Sequence, residues 1–322
     1  MDEKINGYRI TTEFTTSNAG MCKWAFAEKN GEAFFIKQML SPKYPTPEIE
    51  KKLGASLADS MRRDADRFYQ DKKSFYDCLA QCRTGNVVVA EDFFREGSFY
   101  YLTTKRVQGP FLDIDRISRL DEEKKRTLLL AVAYSMAAVH KVKIVHADLK
   151  PENVLTKEMS AGFCTAKLID FDSGFREGKL PEEIVGDQRY FSPEAIQYNF
   201  GETDKVTVKS DVFALGILFH QYWCGDFPAY NREEYESASI ALLEGDKVTP
   251  REDIPSDVRG LIERMLERDP EKRPTCREIW EILSGKTPPD DKPGTDPGLI
   301  IHMGKGRAGG SGGFHPLGDD DL

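Results

Sequence analysis

The densest grouping of reactive side chains is His146-Ala147-Asp148-Leu149-Lys150-Pro151-Glu152-Asn153, with Leu168-Ile169-Asp170-Phe171-Asp172 following shortly after. Carboxylate and amide oxygens at Asp148, Asn153, Asp170 and Asp172 suit a hard divalent cation such as Mg²⁺, and Lys150 among them suits an anion such as a phosphate. A carboxylate for an incoming hydroxyl, oxygen ligands for a metal and a cation for phosphate are together what phosphoryl transfer requires, since that chemistry is mostly positioning and charge neutralisation. A second lysine, Lys37, ends the strand-like run Phe34-Phe35-Ile36-Lys37.

These groups must be positioned by a chain of 322 residues, 39% of them hydrophobic, which is enough for a sizeable core. The 45 basic and 54 acidic residues give a net charge of −9, interspersed along the chain, which argues against a nucleic-acid or anionic-membrane binder. Six scattered cysteines without a C-x-x-C pair read as thiols of a reducing compartment, so the chain is expected in the cytoplasm, with no disulfide framework or zinc site. Met1–Arg9 lacks the apolar core of a signal peptide, and the apolar runs Leu128–Val139 and Val212–Trp223 are too short to span a bilayer.

Short strand-like runs occupy the first hundred residues: Tyr8–Thr15, Cys22–Glu28 and Ala33–Met39, then Val87–Phe94 and Phe99–Thr104. Asn30-Gly31 and Glu96-Gly97-Ser98 mark hairpin turns, and helical periodicity runs from about Glu48 to Ala80. From Leu120 the pattern is helical, with Asp121 as an N-cap. Residues 285–322 hold 10 of the 26 glycines and 5 of the 17 prolines, and read as a tail that cannot offset its ordering entropy. A tail without a function of its own is favoured over one that docks a partner or supplies autophosphorylation sites at Thr287, Thr295 and Ser311.

The His146–Asn153 and Asp170–Asp172 stretches resemble the catalytic loop H-R-D-L-x-x-x-N and the metal motif D-F-G of the protein kinase family. Small-molecule phosphotransferases share such a loop, and Asp172 suits them. Three downstream stretches favour the protein kinases. Ser192-Pro193-Glu194 resembles the A-P-E that closes the activation segment. Lys209–Gly216 resembles a central helix whose acid, Asp211, bonds the catalytic-loop backbone. Arg268–Thr275 resembles a late helix whose Arg273 pairs with Glu194.

The resemblance covers about residues 8–283. It implies a bilobal α+β fold over 1–284, with a β-rich N-lobe at about 1–104, a hinge at 105–108, a helical C-lobe at 109–284, and ATP with Mg²⁺ (or Mn²⁺) between the lobes. It makes Asp148 the residue that orients the acceptor hydroxyl and Lys150 the cation for the transferring phosphoryl group, with Asn153 and Asp170 as metal ligands. Lys37 would meet the α- and β-phosphates, Thr104 would be the gatekeeper, and Lys105 and Val107 would offer hinge backbone to adenine. The glycine-rich loop falls on Thr15, Ser17 and Gly20, of which the last alone is a glycine, and Phe35 replaces the alanine that packs on adenine. The helix glutamate that pairs with the lysine is missing. Asp71 is the best-placed substitute, although the apolar spacing puts the position on Lys72 about as well.

Other departures bear on regulation and substrate. Ala147 replaces the arginine that clamps a phosphorylated activation segment, and that segment's hydroxyl residues are Ser173 and Tyr190, so activity is expected without its phosphorylation. Asp172 in place of glycine is expected to bias the segment to one state and to alter metal preference. Lys150 resembles the Ser/Thr-specific branch, so the expected acceptors are Ser/Thr hydroxyls of proteins. Asp187 stands where that branch has threonine and is placed to pair with Lys150. The competing reading is a pseudokinase, a nucleotide-binding scaffold. Intact Lys37, Asp148, Lys150, Asn153 and Asp170 argue for an active enzyme instead.

Overall fold

The computed structural model describes residues 3–17, 20, 22–82, 85–159 and 162–286. Two compact units divide them, one formed by the chain up to Gln81 with Val88–Gln108, the other by Cys82–Val87 with the chain from Gly109. Mixed α+β structure results, with a six-stranded sheet in the first unit and two two-stranded sheets with most helices in the second.

In the first unit an antiparallel sheet is built from β1 (Lys4–Ile5), β2 (Tyr8–Ile10), β3 (Cys22–Lys29), β4 (Glu32–Met39), β5 (Ala90–Glu96) and β6 (Phe99–Lys105), in the order β1-β2-β3-β4-β6-β5. Asn30 and Gly31 both take positive φ, 55° and 84°, which is why the Asn-Gly pair closes the β3–β4 hairpin as the sequence predicts. One sheet face buries Ala25, Ala27, Phe34 and Ile36 with Tyr8, Phe94 and Tyr101. The alternate residues Trp24, Phe26, Phe35 and Lys37 therefore share the opposite face, with Trp24 across from Lys37 and Phe26 across from Phe35.

The continuous helix expected from Glu48 to Ala80 is two helices, α1 (Pro47–Leu53) and α2 (Ala55–Leu79). Gly54, at φ 80° and ψ 157°, breaks it, a conformation open to glycine at little cost. The packing of α2 on β5 and β6 is aromatic: Phe68 and Tyr69 contact Phe93 and Tyr100, and the Tyr100 hydroxyl donates to the Ala65 carbonyl at 2.9 Å.

The second unit contains α3 (Ile114–Ser118), α4 (Glu122–Lys141), β7 (Ile144–Val145), β8 (Val154–Glu158), β9 (Cys164–Leu168), β10 (Phe175–Arg176), α5 (Pro193–Asn199), α6 (Lys209–Cys224), α7 (Ala238–Leu243), α8 (Ser256–Met265) and α9 (Cys276–Ser284). Asp121 caps α4 as expected, accepting from the Lys124 amide at 2.9 Å. The apolar run at 212–223 is α6, buried on nearly every side. Cys82–Val87 joins this unit because the Asn86 carbonyl accepts from the Leu168 amide at 2.8 Å. Of the tail segment only Gly285, the left-handed cap of α9, and Lys286 are described; Thr287, Thr295 and Ser311 lie outside the described residues. Among the described residues no helix is long and apolar enough to cross a membrane.

One buried ion pair joins distant parts of this unit. Arg273, 1% exposed, donates through Nη1 and Nη2 to the two Glu194 oxygens at 2.7 and 2.8 Å, the pairing the sequence predicts. Its remaining hydrogens reach the carbonyls of Glu267, Lys209 and Arg268 at 2.7, 3.0 and 3.0 Å, so all five guanidinium donors are used. Truncating Arg273 would strand a buried carboxylate, which costs about 3–5 kcal/mol. Arg273→Ala is therefore expected to lower the unfolding free energy in urea by about that much. A loss below about 1 kcal/mol would show that the pair is no more than a surface-like contact.

Candidate active site

The catalytic loop leaves β7 through Ala147, which is held at φ 66°. A left-handed non-glycine residue costs on the order of 1–3 kcal/mol and persists where its surroundings impose it. Here the Asp211 carboxylate on α6 imposes it. Oδ2 accepts from the His146 amide at 2.8 Å and Oδ1 from the Ala147 amide at 3.0 Å. His140, on α4, lies 3.0 Å from the same Oδ2 through Nε2. Burial works against a charge on this histidine, but the Cys276 sulfur and the Asp211 carboxylate outweigh it and raise the imidazole's pKa. The predicted contact of Asp211 with the loop backbone is present.

With the loop so fixed, both oxygens of Asp148 are engaged. Oδ2 accepts from Lys150 Nζ at 2.7 Å and from Asn153 Nδ2 at 2.9 Å; Oδ1 accepts from the Asp187 amide at 2.9 Å. Asn153 Nδ2 also donates to the Asp148 carbonyl at 2.7 Å. Its amide hydrogens are thus directed at Asp148, and Oδ1 is the atom it has left to offer a cation. Asp170 also has a left-handed backbone, φ 62°, and its neighbour Ile169 donates to the Asn153 carbonyl at 3.0 Å, which ties the two predicted metal ligands together. His146 Nε2 lies 3.1 Å from the Ile169 carbonyl, and its ring meets buried Phe171 at 4.4 Å between centroids. One carboxylate and one amide oxygen fit Mg²⁺, which takes one or two protein oxygens and completes its shell with waters and substrate phosphates. Among the described residues no three His, Cys, Asp or Glu side chains form a closed metal cage.

Two expectations change. Asp187 does not pair with Lys150; it receives Nε and Nη2 of Arg189 at 2.9 and 2.5 Å. Arg189 two residues on reaches it within one turn, while Lys150 is taken by Asp148; the Arg189 guanidinium holds the Asp187 carboxyl below its ordinary pKa. On α2 the inward position falls to Lys72, in line with Ala65, Phe68, Phe75, Tyr76 and Leu79, whereas Asp71 is exposed and its side chain makes no hydrogen bond or ion pair among the described residues. Residue 71 lies roughly 80° around the helix from the mean direction of those positions, at the edge of the packed stripe, so an acid there faces solvent.

In the first unit Lys37 is 8% exposed on β4, across from Leu102 of β6. Thr104 pairs with Phe35, and Lys105 is the last residue of β6, followed by the Arg106 amide donating to the Ala33 carbonyl at 3.0 Å and by half-buried Val107. Ser17 is fastened by its amide to Thr15 Oγ1 at 3.1 Å and by its carbonyl to the Trp24 indole N–H at 2.8 Å; Gly20 has φ 54°. The rest of the loop, Asn18, Ala19 and Met21, is outside the described residues.

A match to the family described as "Protein kinase domain" covers residues 62–282. The chain belongs to the protein kinase family. Curated relatives similar to this kinase domain include the serine/threonine-protein kinase PSK2 of Saccharomyces cerevisiae, 31% identical over 61% of the chain, and calcium-dependent protein kinase 7 of Arabidopsis thaliana, 30% identical over 64%. The human calcium/calmodulin-dependent protein kinase type 1B is 31% identical over 63% of the chain. The chain spans 17%, 39% and 59% of the lengths of those three proteins.

No motif marks the part Gly186 plays. A Cβ there would lie 2.9 Å from the Phe191 ring and 3.0 Å from both the Ala147 carbonyl and Asp148 Oδ1, so glycine is what lets this stretch approach the Asp148 carboxylate. Its φ is unremarkable; the requirement is space. Displacement of a positioned group by about 1 Å can cost on the order of 100-fold. Gly186→Ala in this kinase domain is expected to lower kcat by about that factor with a KM for nucleotide within about threefold. An unchanged kcat in a folded variant would show that the close approach does not set Asp148.

Proposed function

We propose that this chain is an ATP- and Mg²⁺-dependent protein kinase that phosphorylates Ser/Thr hydroxyls of protein substrates and needs no phosphate on its activation segment. The observation that carries the catalytic part is the Asp148 carboxylate, held at both oxygens by Lys150, Asn153 and the Asp187 amide. A scaffold has no use for a carboxylate so restrained. Asp148 orients the acceptor hydroxyl and takes its proton as the new P–O bond forms and the bond to the ADP oxygen breaks. Lys150, bonded to Asp148, would keep a cation beside the transferring phosphoryl group. Asn153 and Asp170 would hold Mg²⁺, which neutralises phosphate charge when bound, and Lys37 would meet the α- and β-phosphates. Serine/threonine-kinase relatives support the substrate class.

The activation segment supports the rest. Where an arginine would clamp a phosphate, Ala147 packs beside an apolar cluster of Val145, Phe175, Ile184, Phe191, Ile196 and Val206. Asn199 fixes the same segment with two bonds of 2.9 Å, its Oδ1 accepting from the Ile184 amide and its Nδ2 donating to the Ile184 carbonyl. The Tyr198 hydroxyl donates to the Pro181 carbonyl. Tyr190, 6% exposed, donates its hydroxyl to Gln221 at 2.9 Å and is shut away from a modifying enzyme. All six cysteines are free, which fits the reducing cytoplasm.

The test is transfer of labelled γ-phosphate from ATP to a generic protein acceptor by chain pretreated with phosphatase, alongside Asp148→Asn. Incorporation is expected to survive phosphatase and to fall at least about 1000-fold in the variant, as for loss of a group that both positions and accepts a proton. Label lost on dephosphorylation and restored within residues 174–191 would overturn the regulatory part. No incorporation by wild type would favour the scaffold reading, and transfer to small hydroxyl compounds alone would favour a small-molecule phosphotransferase.

A further inference from the structure

His220, on α6, is 0% exposed and meets backbone at both ring nitrogens. Nδ1 lies 2.7 Å from the Asp226 carbonyl, and Nε2 accepts from the Arg251 amide at 3.1 Å. These partners fix where its hydrogen sits. A carbonyl only accepts, so Nδ1 carries the hydrogen; a backbone amide only donates, so Nε2 keeps its lone pair. The imidazole is therefore neutral in the fold, and a second proton would set one N–H against another at Arg251. The two contacts bracket one segment. Residues 226–251 leave α6, run through α7 and return, and Ala229 and Thr249 exchange amide bonds of 2.9 Å in both directions where the ends meet. Between those ends the Ser239 hydroxyl donates to the Phe191 carbonyl, and Leu243 packs on the cluster that contains Phe191 and Ile184.

We propose that His220 is a proton-operated latch: neutral, it ties both ends of the 226–251 segment to α6, and a proton on Nε2 frees the Arg251 end and loosens α7 from the stretch that carries Phe191. Charged groups reach this region from several elements. The connection after α6 brings Asp226, which receives Arg232 at 3.1 Å, and the segment before α8 brings Arg251 and Asp253, bonded to each other at 3.0 Å. On the neighbouring elements, Lys125 of α4 donates to the Trp223 carbonyl at 3.2 Å, and Asp257 of α8 is committed to Arg126 of α4. Cys224 of α6 has its thiol pushed up to about 11 by burial. Burial holds the His220 imidazole below its ordinary pKa and the Arg251 charge adds to that, against the opposite pull of the Asp226 carbonyl and of the Asp226 and Asp253 carboxylates. A histidine kept neutral by the fold contributes its full stability above the unfolded value of about 6.5. It loses that contribution as pH falls below this value, where opening takes up a proton and becomes more favourable by up to about tenfold per pH unit.

The experiment is amide hydrogen exchange of the full chain and of His220→Gln at pH of about 7.5 and about 5.5, on either side of the ordinary imidazole value, with rates corrected for the intrinsic effect of pH. Glutamine offers the same pair of contacts, an N–H for the Asp226 carbonyl and an oxygen for the Arg251 amide, without a titrating group. Protection of the Ala229, Thr249 and Arg251 amides is expected to fall about three- to tenfold at the lower pH in wild type, and by less than about twofold in His220→Gln. At the lower pH these amides are also expected to be less protected than those of α4, since the segment opens without the rest of the unit. A wild-type fall below about threefold, a fall of about twofold or more in His220→Gln, or protection equal to that of α4 would overturn the proposal. Nitrogen NMR of the wild-type imidazole stands even if the variant does not fold. At the higher pH His220 should carry its hydrogen on Nδ1 alone, and a hydrogen on Nε2 there would overturn the latch.

Discussion

A single carboxylate, Asp211, carries the geometry of the catalytic loop. Its side chain is 1% exposed, so its charge is expensive unless fully bonded, and three groups meet it: the amides of His146 and Ala147 and the imidazole of His140. The exchange benefits both sides. A buried acid gains its partners, and a left-handed alanine gains the restraint that keeps it there. Helices α4 and α6 are thereby joined to the loop that carries Asp148, so that carboxylate inherits the rigidity of α6, the most buried helix among the described residues.

The activation segment shows how a second constraint is met by different chemistry. A phosphate clamped by arginine is a strong, switchable charge contact. Here the same stretch is held by an apolar cluster around Ala147 and Ile184 and by the paired amide bonds of Asn199. Such contacts are permanent, because burial of Ile184 and bonds to its backbone do not depend on a modifying enzyme. Gly186 then brings the segment against Asp148, and the Asp187 amide completes the carboxylate's set of donors.

What could be read from the sequence was what is local or chemically distinctive. The Asp121 cap, the Asn30-Gly31 turn and the Arg273–Glu194 pair depend on residue types whose partners are few, and each is found as expected. What could not be read depends on packing between elements. Periodicity ran through Gly54 because one glycine leaves the apolar pattern on either side intact, yet its backbone breaks the helix. The choice between Asp71 and Lys72 turned on a rotation of about 100° about a helix axis, which is decided by contact with β5 and β6. Asp187 took the nearer arginine over the lysine because Lys150 was already committed to Asp148. Gly186 and Asn199 carry no motif of their own; their roles arise from what lies within 3 Å of them in the fold.

Asp211 sets the backbone of the His146–Asn153 loop through its two amide contacts. Asp211→Asn keeps size and shape but turns one acceptor oxygen into a donor facing a backbone N–H, so one of the two loop amides loses its partner. The decisive measurement is the single-turnover rate of phosphoryl transfer by this variant with saturating nucleotide. A displaced Asp148 predicts a rate about 100-fold below wild type with nucleotide affinity within about threefold. A rate within about twofold of wild type would contradict the account, since the loop would then hold its geometry without the carboxylate.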